Sequence, residues 1–222
     1  MNDLKLCTDA LAAKSGAHTT RWRYYDGDHP IAFLNEKFRD VIKNGTVFKK
    51  NWCQVIVNAT RDRLKIRAWH HADQATADRA ARLWKRTLRR CATSVHVSAL
   101  TCGEAYIVAW PDRTNTPVAY YHDPRQVHVI YDEADPNTPR VACKRWKQDG
   151  RDFMNLYYAD RIEHYAGSND SYSLSSSDYN PYGVIPVFHF RPDARVLTGE
   201  LTTGILSLQD AMNKVLNDLM VD

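Results

Sequence analysis

Five acidic residues lie close together in the middle of this 222-residue sequence: Asp112, Asp123, Asp132, Glu133 and Asp135. A metal-dependent nuclease needs a carboxylate cluster of this kind to hold a divalent ion. All five, however, stand in or beside turn-forming stretches such as Pro111-Asp112, Asp123-Pro124 and Asp135-Pro136-Asn137. Asp is favoured there because its carboxylate bonds the local backbone, so a turn role is the plainer expectation. His70 and His71 are adjacent and would point about 100° apart on a helix, unlike a chelating i, i+4 pair. Asp26-Gly27-Asp28 begins like a calcium loop, but the ligand series and the closing Glu do not follow; a turn and helix cap account for it. Phosphate-loop, dinucleotide-binding and nucleophile-elbow motifs are missing. The sequence therefore implies no catalytic constellation, no metal and no cofactor.

A second chemistry is suggested by cations. At 100° per residue over 73–98, Arg79, Arg82, Lys85, Arg86, Arg89 and Arg90 share one side of a helix. Six cations on one face can neutralise phosphates and would make binding salt-dependent. No aromatic, Asn or Gln side chains interleave with them to read bases. DNA, a neighbouring subunit and solvent all stand as partners for this face. The tyrosines at 120, 121, 131, 157, 158 and 165 could stack on bases, but tyrosine in strands more often packs.

The elements that must carry these residues follow from periodicity. Pro30 with Asp28 or His29 reads as the start of a helix in which Ile31, Leu34, Phe38, Val41 and Ile42 recur at helical spacing, stopped by Asn44-Gly45. A second helix is expected over 49–64, with Trp52, Val55, Ile56 and Ala59 on one face. In the third, over 73–98, Ala80, Leu83, Trp84, Leu88, Cys91 and Val95 oppose the cations. At Gly103 the period drops to two. Strands are expected over 105–110, 118–122, 126–131, 141–147, 153–158 and 161–165, separated by short turns that favour antiparallel neighbours. The polar, Ser-rich stretch 166–183 reads as an exposed, mobile loop, followed by strand character over 184–190 around Pro186. From 199 the chain is helical again, with Ile205, Leu208, Met212, Val215 and Leu219 at seam spacing for packing along another helix. No stop signal ends this helix before Asp222, so the sequence reads as the first part of a longer protein. The predicted class is α+β: N-terminal helices, an antiparallel, mostly meander-like sheet, and a C-terminal helix.

Composition bounds the rest. The 44% apolar and 25% charged residues are ordinary globular usage. No apolar run approaches the roughly 20 residues that span a bilayer, and the N-terminus lacks the form of a secretory signal. These features predict a soluble protein made inside the cell, with no membrane partner. Five scattered cysteines without a Cys-x-x-Cys pair fit free thiols. The net charge of +4 permits contact with nucleic acid without demanding it.

Four stretches, in order, resemble the first half of tailed-bacteriophage portal proteins, of the kind found in phages and prophages of Gram-positive hosts. They are Tyr24-Tyr25-Asp26-Gly27-Asp28-His29-Pro30, then Asn51-Trp52-Cys53-Gln54-Val55-Ile56-Val57-Asn58-Ala59 with Arg63-Leu64, then Ala99-Leu100-Thr101-Cys102-Gly103-Glu104-Ala105-Tyr106-Ile107-Val108, and last Asn180-Pro181-Tyr182-Gly183-Val184-Ile185-Pro186-Val187 with Gly199-Glu200-Leu201 and Leu208-Gln209-Asp210-Ala211-Met212-Asn213-Lys214. The resemblance implies a structural, non-enzymatic subunit of a ring, typically of twelve copies, at one vertex of the virion capsid. Such a ring would assemble in the host cytoplasm with scaffold or capsid protein. It would dock the terminase packaging motor, conduct double-stranded DNA and hold the head-tail connector. On this likeness 1–102 is the helical part of the wing, 103–198 its β part, and 199–222 the start of a helix leading toward a stem, with the seam residues facing that way. A basic nucleic-acid-binding protein or a metal-dependent nuclease is the alternative.

Overall fold

A computed structural model describes residues 2–30, 49–168, 171–191 and 198–219. It shows the expected α+β arrangement. The helices are α1 (Asp3–Asp26), α2 (Trp52–Arg61), α3 (Gln74–Leu83), α4 (Arg89–Cys102) and, at the far end, α5 (Thr203–Asp218). Between α4 and α5 lie β1 (Ala105–Pro111), β2 (Pro117–His122), β3 (Val127–Tyr131), β4 (Pro139–Gln148), β5 (Arg151–Tyr157), β6 (Arg161–Ser168), β7 (Ser171–Tyr179) and β8 (Val187–Phe190).

The strands divide into two antiparallel sheets, β2-β1-β8 and the meander β3-β4-β5-β6-β7. Alternation along the strands gives each sheet two apolar faces. Tyr106 and Val108 of β1 meet Val127, Val129, Ala142, Tyr157 and Ile162 of the meander in one core between the sheets. The opposite side of β1, Ala105 and Ile107, packs under Cys91 and Val95 of α4. The opposite side of the meander, with Val141, Cys143, Met154 and Leu156, receives Cys7 and Leu11 of α1. The order of layers is thus α1, meander, small sheet, α4. A fourth cluster ties Tyr24 of α1 and Cys53 and Val57 of α2 to Val97 and Leu100 of α4 and to Leu201. All five cysteines are buried free thiols.

Several sequence expectations are corrected. Residues 3–26 form a long helix that the apolar pattern does not announce, because only Cys7, Leu11, His18 and Tyr24 are buried along its 24 residues. Gly27 at φ +75° ends that helix, its N–H bonding the Tyr24 carbonyl. The helix expected over 31–43 lies outside the described residues. Helix α2 buries Cys53 and Val57, whereas Trp52 and Val55 are about half exposed; the apolar face read from the sequence is not the one the fold covers. The helix expected over 73–98 runs to Cys102 and is interrupted by a π-helical turn, Trp84–Leu88.

The largest correction concerns 166–183, expected as a mobile loop. Strand β6 extends to Ser168, and β7 pairs with it from Arg161↔Tyr179 to Ser168↔Ser171. Gly167 permits this tight hairpin, since a Cβ there would lie 1.7 Å from the Ser171 carbonyl oxygen. As the outermost strand with nearly every side chain exposed, β7 has no buried face to impose alternation.

Candidate functional site

The junction between α4 and β1 holds a dense, buried polar arrangement. Gly103, at φ +86°, ends α4 and turns the chain so that Glu104 enters the interior, fully buried. Lys14 and His18, one turn apart on α1, reach across to it. Glu104 Oε1 accepts from Lys14 Nζ at 2.7 Å and lies 2.7 Å from His18 Nε2. Tyr106 donates its hydroxyl to Oε2 at 2.6 Å, and His189 Nε2 of β8 lies 3.3 Å from the same oxygen. Lys14 Nζ also donates to the Val127 carbonyl of β3 at 2.8 Å. The His189 ring stacks on Tyr106 with centroids 4.5 Å apart, and its Nδ1 lies 3.1 Å from the Tyr131 hydroxyl.

Burial by itself would raise the Glu104 pKa, but contacts from His18 and His189 and the Lys14 ammonium outweigh it and hold the carboxyl well below its usual range. Burial lowers Lys14, with Glu104 opposing the shift. His128, beside the cluster, is pushed down to about 4 by burial and then by the Lys14 charge. With Glu104 at 0% and the His18 and His189 side chains at 3% and 4% exposure, a substrate has no access. The cluster joins α1, β1, β3 and β8, and its chemistry is that of an electrostatic staple. The sequence carried one sign of it: Glu104 is the only charged residue in the run Ala99–Trp110, whose neighbours are otherwise apolar or small.

The five acidic candidates are not brought together into such a site. Asp112 accepts from the backbone N–H of Thr114 and Thr116, Asp132 from Ala134 and Asp135, and Asp135 from Asn137. Asp123 accepts from the Arg125 backbone and forms a two-pronged pair with its guanidinium. Among the described residues, no group of three His, Cys, Asp or Glu is placed to hold a metal ion. His70 and His71 are exposed, and His71 Nδ1 accepts from the Asp73 backbone just ahead of α3.

Two surfaces stand out. Arg79, Arg82, Lys85, Arg86, Arg89 and Arg90 are all exposed, while Cys91 is buried and Leu83, Trp84 and Leu88 are half-buried. On α5 and at its C-cap, Leu208, Val215 and Leu219 are 55%, 56% and 70% exposed, with Ile205 and Met212 half-buried. Ile205, Leu208 and Met212 line an apolar groove with Trp52, Cys53 and Ile56 of α2. The side of α5 that is buried is polar. Gln209 accepts from the Trp52 N–H at 2.8 Å and donates to the Lys50 carbonyl at 2.7 Å. Asn213 accepts from the Lys50 N–H and lies 3.1 Å from His29 Nε2.

The family model described as "Phage portal protein, SPP1 Gp6-like" matches residues 72–222. The chain belongs to the phage portal protein family. No curated protein matches it. The portal match begins just ahead of α3 and takes in the basic helix face, both sheets and α5, whereas α1 and α2 precede it. The Glu104 staple therefore joins a portal-matched sheet region to a helix outside the match. A structural role in the phage particle follows from the family, and no helix among the described residues is long and apolar enough to cross a membrane.

Proposed function

We propose that this chain is the wing of a portal subunit that closes with copies of itself into a ring at the capsid vertex, forming the conduit for DNA. The observation that carries the proposal is the groove between α2 and α5, where a family member leaves large apolar side chains uncovered. An exposed apolar stripe of this size marks a surface that another chain covers, and rings arise from head-to-tail contacts between unlike surfaces. On this reading 1–102 and 103–198 are the helical and β parts of the wing. Residues 199–222 lead toward the stem, with Ile205, Leu208, Met212, Val215 and Leu219 facing the stem of the neighbouring copy. The family resemblance further supports twelve subunits, docking of the packaging motor and head-tail connector, and a virion of a Gram-positive host's phage.

The role is structural and without catalysis. Incubation of the purified chain with DNA and Mg²⁺ or Mn²⁺ should leave the DNA intact; cleavage lost in Asp123→Ala or Asp132→Ala would overturn this reading. Sedimentation tests the groove. The 222 residues by themselves should run as monomers or small, concentration-dependent oligomers, and Leu208→Glu with Val215→Glu should remove the oligomers. A closed ring formed by these residues and left intact by both substitutions would place the main contact elsewhere.

A further inference from the structure

Charge is spread very unevenly along this chain. Residues 61–90 hold ten of the thirty Lys and Arg side chains but only three of the twenty-six acidic ones, so this segment carries +7 and the remainder −3. Arg61 pairs with Asp62. The other nine cations are exposed and make no ion pair among the described residues. Eight of the ten are arginine, whose planar fork suits phosphate oxygens.

The structure adds what the helical wheel lacked. The extended stretch ahead of α3 folds back so that Trp69 meets Trp84, ring centroids 5.8 Å apart. Together with Arg67, Lys85 and Arg89 they line a cleft of about 520 Å³. Asp78 is the one acidic residue in its lining, and it accepts from Gln74 Nε2 at 2.9 Å. Aromatic faces thus do sit among the cations. From Arg79 to Arg90 the helix rises roughly 17 Å, the axial length of about five phosphates on one strand of duplex DNA.

We infer that this surface binds the sugar–phosphate backbone of nucleic acid without regard to sequence. A second copy of the chain is a poor complement, since outside 61–90 it holds 20 cations among its 23 acidic residues and its one pair of adjacent acidic residues is Asp132-Glu133. A polyphosphate supplies dense negative charge, and binding releases its counterions. No Asn or Gln lies between Arg79 and Arg90, and Gln74 in the cleft is engaged with Asp78, so affinity without sequence preference is the expected form. The inference rests on charge distribution and holds whether or not the subunits close into a ring.

The test is fluorescence anisotropy of a short labelled duplex and of its single strand with the full chain, from about 50 to 200 mM salt. Three proteins are compared: the parent, R82Q/R86Q/R89Q/R90Q, and a control with equal charge loss at exposed sites elsewhere, K5Q/K147Q/R151Q/K214Q. The parent should bind with steep salt dependence. At low salt the site variant should lose about 100-fold in affinity and its log–log salt slope should flatten by about 3 to 4, while the control stays near the parent. Thermal midpoints of both variants should match the parent. R67Q/W69A probes the same cleft outside any helix and should also weaken binding, more so for the single strand, whose bases can stack on indole. Equal losses in site and control variants would reduce the effect to net charge and overturn the assignment. So would the absence of salt-dependent binding, or a site variant that keeps DNA affinity but no longer self-associates.

Discussion

Replacing Glu104 by Ala would leave the Lys14 ammonium buried beside His18 and His189 with no counter-charge. Removing one partner of a buried ion pair costs roughly 3–5 kcal/mol, a large share of the stability of an ordinary domain. Urea unfolding of Glu104→Ala should show a loss of that order; a loss below about 1 kcal/mol would mean that water reaches the cluster. Little of this node was legible beforehand. A lone Glu in an apolar run is a visible oddity, but Lys14 and His18 lie some ninety residues away in a helix whose apolar residues form no single stripe, and no local signal joins them.

The same region governs the response to acid. His128 and His122 both titrate near 4 in the fold, mainly through burial, against an ordinary value of 6.5. Between those values the unfolded chain takes up protons that the folded chain refuses, so stability falls as pH drops from about 6.5 to about 4. Glu104, held below its ordinary range, contributes stability that is intact above about pH 4.3 and is lost only as acid protonates it. Urea midpoints should therefore begin to decline in the histidine window, and His128→Gln with His122→Gln should flatten that limb. An unchanged slope in the double variant would show that other groups carry it.

Among the elements, α5 shows that seam spacing does not say which face of a helix is buried. Its apolar stripe is present, yet the face turned inward is Gln209, Asn213 and Asn217. Gln209 and Asn213 satisfy backbone groups at Lys50 and Trp52, about 160 residues earlier, and Asn217 donates to the Asn213 carbonyl, so the preference for a polar inner face is set largely by a distant partner. Gln209→Ala should cost about 1–3 kcal/mol by leaving the Trp52 N–H and Lys50 carbonyl without partners. Leu208→Ala should change the stability of the isolated chain by no more than about 0.5 kcal/mol. The reverse ranking in thermal or urea unfolding would show the helix is rotated from the face described. For β7 and the π-helical turn the sequence was silent for physical reasons. An edge strand exposed on both faces needs no alternation, and a one-turn widening leaves no compositional mark.

At the scale of the whole molecule, the order of helices, strands and final helix was legible apart from α1 and β7, because the other strands are short apolar runs and each turn has its own Asp, Asn, Pro or Gly. The division of the strands into two sheets was not, since β8 joins β1 across nearly eighty residues and the intervening meander pairs only locally. What the fold then offers is a closed interior, a basic flank and an apolar groove, which suits a subunit built for assembly. Negative-stain electron microscopy of the full-length gene product containing these residues tests that account most directly. It predicts closed rings seen end-on with a central opening, lost when Leu208 and Val215 are replaced by Glu. A full-length product that stays monomeric, or rings unchanged by those substitutions, would contradict it.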